Sequence, residues 1–230
     1  MNMKDGTFVE LEFTGRITET GEIFDLTDEQ LAKENKIYNP KTRYGPVTII
    51  IGEKMILKSL EDAIKKMKPQ EKKKITLSPE ESFGKRNPDL MKVFSLAYFR
   101  NQKITPVVGQ IITLGDNVSG KVLSVSAGRV RIDFNHPLAG RTLEYDLKLN
   151  KEITEPLDKI ENIMNGSLGI SKKDMTIQMT KEKATIELKN AEKIPNEIRT
   201  KIIESIKKHI KEIKDAEIIA PKTEVANTKK

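Results

Sequence analysis

The 230-residue sequence has no cysteine and no tryptophan, and only two histidines, His136 and His209. Without cysteine there is no thiol nucleophile, no redox pair, no disulfide framework and no cysteine-ligated metal. The histidines lie too far apart to form a local metal motif, so no cofactor is expected. Long apolar runs are missing too. The longest aliphatic stretch, Val47-Thr48-Ile49-Ile50-Ile51, is far short of the about 20 residues that span a bilayer, and it reads as a buried strand. The N-terminus shows no charged start, apolar run and small-residue cleavage site in succession, as a secretory signal would. The expectation is a cytoplasmic protein with no membrane partner.

What is abundant is charge. The 41 Lys and Arg residues outnumber the 34 Asp and Glu residues, for a net charge of +7. Lysines alternate with acids, as in Lys58-Ser59-Leu60-Glu61-Asp62, which is the pattern of a solvated face. Contact with nucleic acid or the ribosome would rest on the net charge alone. The length suits more than one domain.

Along the chain, Thr7 to Phe13 alternates as a strand, Thr20-Gly21-Glu22 turns, and Ile23-Phe24-Asp25 resumes an extended run. A short helix around Glu29 to Glu34 sits inside a long loop. Ile56, Leu57, Leu60, Ile64 and Met67 recur at helical spacing up to Pro69. A strand over 71–77 follows. After Lys85-Arg86-Asn87-Pro88 the text changes: Met91 to Ile104 reads as irregular, then three short strands follow near 111–114, 121–126 and 129–134. A strand over 142–149 then restores the opening alternation, so the first domain reads as interrupted and resumed. The remainder gives a helix over 157–168, a hairpin over 175–188, a helix over 196–214 and a strand at 217–219. In that last helix Ile198, Ile202, Ile206, Ile210 and Ile213 form one stripe, read first as the core of its own domain and second as a dimer face. His136 reads as a turn residue and His209 as facing solvent. The polar tail from Pro221 reads as disordered.

Set in order, Phe13-Thr14-Gly15, Gly21-Glu22-Ile23-Phe24-Asp25, Ile56-Leu57-Lys58-Ser59-Leu60-Glu61, Ser78-Pro79-Glu80-Glu81-Ser82-Phe83-Gly84 and Tyr145-Asp146-Leu147 gather apolar residues around one carboxylate. This constellation resembles the FKBP family of peptidyl-prolyl cis-trans isomerases. The break after Phe83-Gly84, closed by Asn135-His136-Pro137-Leu138-Ala139-Gly140, resembles the insert-in-flap domain of SlyD-like members. The whole is similar to a long archaeal FKBP-type isomerase and chaperone. The motifs cover about Asp5 to Leu149, and beyond Lys151 only the architecture carries the likeness.

The resemblance implies an α+β fold, with an antiparallel sheet wrapped on a helix and an inserted small β domain, and the order of elements beyond it reads as a C-terminal α-β-β-α-β domain. The implied boundaries are 1–85 with 141–152 for the catalytic domain, 86–140 for the insert, 153–220 for the C-terminal domain and 221–230 for the tail. It also implies a pocket of Phe13, Phe24, Asp25, Val47, Ile56, Leu57, Leu60, Phe83 and Tyr145, with the Leu57 N–H holding a ligand oxygen. Three positions depart from the family pattern: Leu60 replaces the aromatic floor, Ser59 a common glycine, and Phe83 a tyrosine. Met91, Phe94, Leu96 and Phe99 of the insert are the expected client-binding residues. The expected partners are unfolded or nascent proline-containing chains, and a second copy through the C-terminal domain.

Such a pocket needs no nucleophile. An X–Pro bond rotates slowly because twisting it breaks amide resonance, a barrier of about 18–20 kcal/mol. The twisted state has lost much of the planar amide's charge separation, so a dry apolar pocket favours it over the ground state. The competing reading is an ATP-independent holdase with little catalysis, motivated by the departures at Ser59, Leu60 and Phe83.

Overall fold

Apolar alternation from Phe8 onward builds one long strand, β1 (Phe8–Ile17), around which the first sheet forms. The computed structural model describes residues 2–115, 118–189 and 191–221; the tail from residue 222 lies outside the described residues. Antiparallel β9 (Leu143–Ile153) pairs with β1 along its whole length. The other edge of β1 is shared by β2 (Ile23–Leu26), beside Thr14 to Arg16, and β3 (Val47–Ile50), beside Phe8 to Leu11. On the far side of β9 lies β4 (Lys72–Leu77). Between β2 and β3 runs the short helix α1 (Glu29–Glu34), whose first turn is capped by Asp28 accepting from the Leu31 N–H at 3.0 Å. Helix α2 (Lys58–Ile64) lies against the sheet and buries Leu60 and Ile64.

The two faces of this sheet have different neighbours, because successive strand residues point to opposite sides. Val9, Leu11, Ile49 and Ile51 join Leu60, Ile64 and Leu147 in the core over α2. Phe8, Ile50 and Ile153 pack into a different core, made by the C-terminal elements. The aliphatic run at 47–51 is thus buried on both faces near its end. The rest of that second face is a ladder of charge pairs, including Lys148 with Glu12 at 3.2 Å and Lys74 with Glu144 at 2.7 Å.

Between β4 and β9 the chain makes a separate four-stranded antiparallel sheet. Its members are β5 (Met91–Ser95), β6 (Ile111–Leu114), β7 (Val118–Ser126) and β8 (Arg129–Asp133), in spatial order β5-β8-β7-β6. Helix α3 (Leu96–Asn101) follows β5 and is capped by Ser95. The irregular stretch expected at Met91 to Ile104 is therefore a strand and a helix. Its apolar residues follow neither period for long enough to declare the switch between them. The two ends of this excursion touch: the Gly140 N–H donates to the Gly84 carbonyl at 2.8 Å. Arg86 pairs with Asp133, whose carboxylate is buried and also accepts from Asn135.

After β9 come α4 (Pro156–Leu168), the hairpin β10 (Met175–Met179) and β11 (Lys183–Leu188), α5 (Asn196–His209) and β12 (Asp215–Ile219). Helix α4 ends at Gly169 in a left-handed conformation, φ 68°. Strand β12 runs parallel to β11. Helix α5 stops at His209, short of the Lys214 expected from the isoleucine stripe. The chain must turn there to bring the Lys214 and Asp215 N–H groups onto the Glu182 carbonyl. Ile210 and Ile213 stay fully packed in the core after the helix has ended, with Ile202 and Ile206, but Ile198 in the first turn of α5 is exposed, so the stripe overstated the helix and misplaced its first residue. Among the described residues, no helix is long and apolar enough to cross a membrane.

Candidate active site

The pocket begins with the register of β1 on β9, which sets Phe13 opposite Leu147 and Gly15 opposite Tyr145. All four share the face over α2, so three large side chains and a gap meet there. The gap is necessary. A Cβ on Gly15 would lie 2.6 Å from the Phe24 ring and 3.0 Å from the Tyr145 ring. Phe24, brought in by β2, stands edge-on to Tyr145 at 5.6 Å between centroids, and Phe13 lies at 6.4 Å on another side of the same ring. Thr27 fixes the Phe13 backbone: its Oγ1 accepts from the Phe13 N–H at 2.9 Å and donates to the Phe13 carbonyl at 3.2 Å.

Helix α2 supplies the floor. Leu60 is buried, and Ile56 and Leu57 precede the helix, with Leu57 as its N-cap residue. At the N-cap no side chain satisfies the first backbone N–H groups, which leaves donors directed at the pocket end of the helix. Ser59 donates to the Glu81 carbonyl at 2.9 Å and ties α2 to the turn at Pro79–Glu81. That turn carries Phe83, which is stacked flat on His136 at 4.2 Å. His136 also accepts from the Leu138 N–H at 3.2 Å, so it orders its turn and backs one wall of the pocket.

Together Phe13, Asp25, Ile56, Leu57, Leu60, Phe83 and Tyr145 line a single cavity of about 430 Å³, with Leu11, Lys54, Met55 and Leu147 completing it. Two expected members stand outside it. Phe24 braces Tyr145 from behind, and Val47 packs into the core under the sheet. Strand pairing sets Val47 opposite Leu11 on the same face, but one strand out from Leu11, which lines the cavity itself. The added members Leu11 and Leu147 follow the same two-residue alternation as Phe13 and Tyr145, a signal present in the sequence. Lys54 and Met55 lie in a loop whose path no local pattern reveals.

Asp25 sits at the rim, its surface open to water on one side. The protein on its other side pushes its carboxyl above the usual carboxylate value, opposed by a hydrogen bond from the Leu26 backbone. Burial and then the Asp25 charge push the Tyr145 phenol up to about 12. Tyr145 is therefore a neutral hydroxyl at physiological pH. Among the described residues, no group of three or more His, Asp or Glu side chains is placed to hold a metal ion.

The expected client-binding residues are divided by the structure. Phe99 is fully buried and, with Ile112, Val122, Val130 and Ile132, forms the core of the four-stranded unit. Phe94 and Leu96 pack partly against that core, and Met91 is half-buried. Phe99 is thus closed to a client, because the α3 turn points it inward. Among the described residues of this unit, the exposed large apolar residues are instead Val107, Val108, Ile111 and Val118, around β6, and Leu90, Val93 and Tyr98 near β5.

Comparison with known proteins agrees with this geometry. Residues 1–100 match the family described as FKBP-type peptidyl-prolyl cis-trans isomerase, and residues 92–138 match one described as FKBP26, IF domain. A short-type peptidyl-prolyl cis-trans isomerase of Methanocaldococcus jannaschii is 31% identical over 147 residues, which is 64% of this chain and 92% of that protein. The FKBP-type 16 kDa peptidyl-prolyl cis-trans isomerase of Escherichia coli K12 is 29% identical, covering 45% of this chain and 72% of its own length. The SlyD isomerase of Treponema pallidum is 26% identical, covering 69% of this chain and 82% of its own length. On these similarities the chain belongs to the FKBP-type peptidyl-prolyl cis-trans isomerase family.

Proposed function

We propose that this isomerase acts on X–Pro bonds in unfolded or partly folded polypeptides, with the 430 Å³ cavity as its catalytic pocket and the four-stranded unit as a capture surface. The observation that carries the reading is the convergence of Phe13, Asp25, Leu57, Leu60, Phe83 and Tyr145 from five separate segments onto one apolar opening. Leu60, Phe83 and Tyr145 grip the prolyl ring. The Leu57 N–H at the start of α2 holds a substrate carbonyl, aided by the positive end of the short helix. Asp25 lies where the rotating carbonyl swings out of plane, and it orders that oxygen's surroundings without taking a proton. Catalysis comes from the difference in polarity between the planar and twisted amide, so it needs no covalent intermediate. Short departures from the family pattern fit this scheme: Leu60 widens the floor, and Phe83 keeps its wall apolar.

The chain then divides into a pocket unit of 1–85 with 141–152, an inserted unit of 86–140 and a C-terminal unit of 153–220. The inserted unit raises the concentration of a client beside the pocket, through the exposed valines and Ile111 near β6. Removing the sheet is feasible, because Asn87 and Asn135 are already hydrogen-bonded neighbours, and a splice there keeps His136 on Phe83. The test compares wild type, Asp25→Ala and a deletion of 88–134 in two assays: turnover of a short prolyl peptide, and refolding of a protein limited by prolyl isomerisation. Asp25→Ala should lower both. The deletion should keep peptide turnover and lose most of the refolding activity. Equal loss in both assays for the deletion would refute a separate capture role.

A further inference from the structure

His209 and Lys208 lie at the end of α5, in a different unit from the pocket, yet both reach the loop that forms its rim. The His209 imidazole is only 5% exposed and stands edge-on to Phe8, with centroids 5.8 Å apart. This contradicts the solvent-facing position expected from its lysine-rich neighbours; the sheet face at Phe8 covers it. Its Nε2 lies 3.5 Å from a Glu53 oxygen, and the Lys208 ammonium lies 2.7 Å from the same oxygen. Burial holds His209 below its ordinary value, so Lys208 supplies the positive charge. The Lys208 hydrogen bond in turn holds the Glu53 carboxyl below the usual range.

Glu53 opens the segment that walls the pocket. Its own N–H donates to the Ile50 carbonyl at 3.2 Å, and two residues later the Met55 sulfur accepts from the Ile50 N–H at 3.3 Å. Lys54, Met55, Ile56 and Leu57 then line the catalytic cavity in succession. Met55 also lines a second cavity of about 310 Å³, closed on its far side by Asn162 of α4 and Ser205 and His209 of α5. The rim of the pocket is therefore held at Glu53 and backed at Met55 by the C-terminal helices.

We propose that Lys208 and His209 are positioning residues for the isomerase reaction: by fixing Glu53 they set the path of the loop to Leu57, and so the aim of its N–H. This rests on the cavity being the catalytic pocket. Lys208 anchors by charge and His209 by packing on Phe8, which together give the loop one resting place instead of several. Small errors of aim at a site that works by orientation are costly, while a largely exposed ion pair is weak. The expected effect of breaking it is accordingly about threefold to fivefold.

The experiment uses the full chain, with Glu53→Lys and Lys208→Glu made singly and together. It reads kcat/KM on a short prolyl peptide, amide exchange at Met55, Ile56 and Leu57, and the melting temperature. Each single reversal should lower kcat/KM about threefold to fivefold and quicken exchange in the loop, with the melting temperature unchanged. The double reversal should restore both. Singles that match wild type in turnover and exchange would overturn the proposal, as would a double variant that restores neither. Asp25→Ala in the same assay separates the two ideas: if it leaves turnover intact, the pocket assignment fails, and the exchange data still decide whether α5 holds the loop.

Discussion

The pocket unit and the four-stranded unit use their apolar residues in opposite ways. Under the first sheet, Val9, Leu11, Ile49, Leu60, Ile64, Leu143 and Leu149 are all withdrawn from water, and the pocket is a shallow opening in that dense core. In the second, Phe99, Ile112, Val122, Val130 and Ile132 make up the buried cluster among the described residues, while Val107, Val108 and Ile111 each keep about 60% or more of their surface exposed. One unit spends apolar area on rigidity and the other leaves it on the surface. A reaction that depends on orientation needs the first kind, and capture of irregular chains suits the second. The tie between Arg86 and the buried Asp133 carboxylate compensates in part, since it joins the small unit's last strand to its own entrance.

The largest way to break the contrast is to empty the thin core. Ile132→Ala removes one of five fully buried side chains and should cost about 2–5 kcal/mol, comparable to all that a unit of this size holds. Amide exchange should show β5 to β8 losing protection together while peptide turnover persists. Loss of turnover in parallel would mean that the two units fold as one. A smaller perturbation addresses the dense side. Gly15→Ala drives a methyl into the Phe24 and Tyr145 rings, an overpacking worth about 1–3 kcal/mol. Peptide turnover should fall about tenfold, because Tyr145 lines the pocket and Phe24 holds its ring in place, with the small sheet unaffected by exchange.

The smallest effect is confined to alkaline pH. The Tyr145 pKa is raised from 10.0 to about 12, so the folded state holds that proton more tightly than the unfolded chain. The contribution is fully present below pH 10 and is lost as pH rises through about 12. Thermal melts of Tyr145→Phe should therefore decline less steeply than wild type between those values and match its slope at neutral pH.

Much of the pocket could be read before folding because its residues lie in short segments with clear local signals. Phe13 belongs to an alternating strand, Ile56 to Leu60 begin an amphipathic helix, and Phe83 follows a Ser-Pro-Glu-Glu turn. Phe24 and Val47 are equally plausible by type, and Val47 even pairs with the cavity-lining Leu11, but only the packed structure decides which residue reaches an opening. Met55 and Lys54 gave no signal, since a loop's path is set by what holds it at a distance. His209 shows the same limit. Three lysines near it in sequence suggested water, and the ring of Phe8, two hundred residues away, excludes it.

Sequence alone determined most of the elements, with β5 and α3 as the exceptions, and with them the lack of thiol chemistry and the order of the pocket segments. These follow from backbone periods of 3.6 and 2 residues and from side-chain type, which are properties of a few neighbours at a time. Tertiary structure decided that Phe99 turns inward, that β3 is buried on both faces, and that α5 ends against the loop leading to the pocket. Each depends on which surface arrives from a remote part of the chain, and a side chain's neighbours across space are fixed only when the competing burials are settled together.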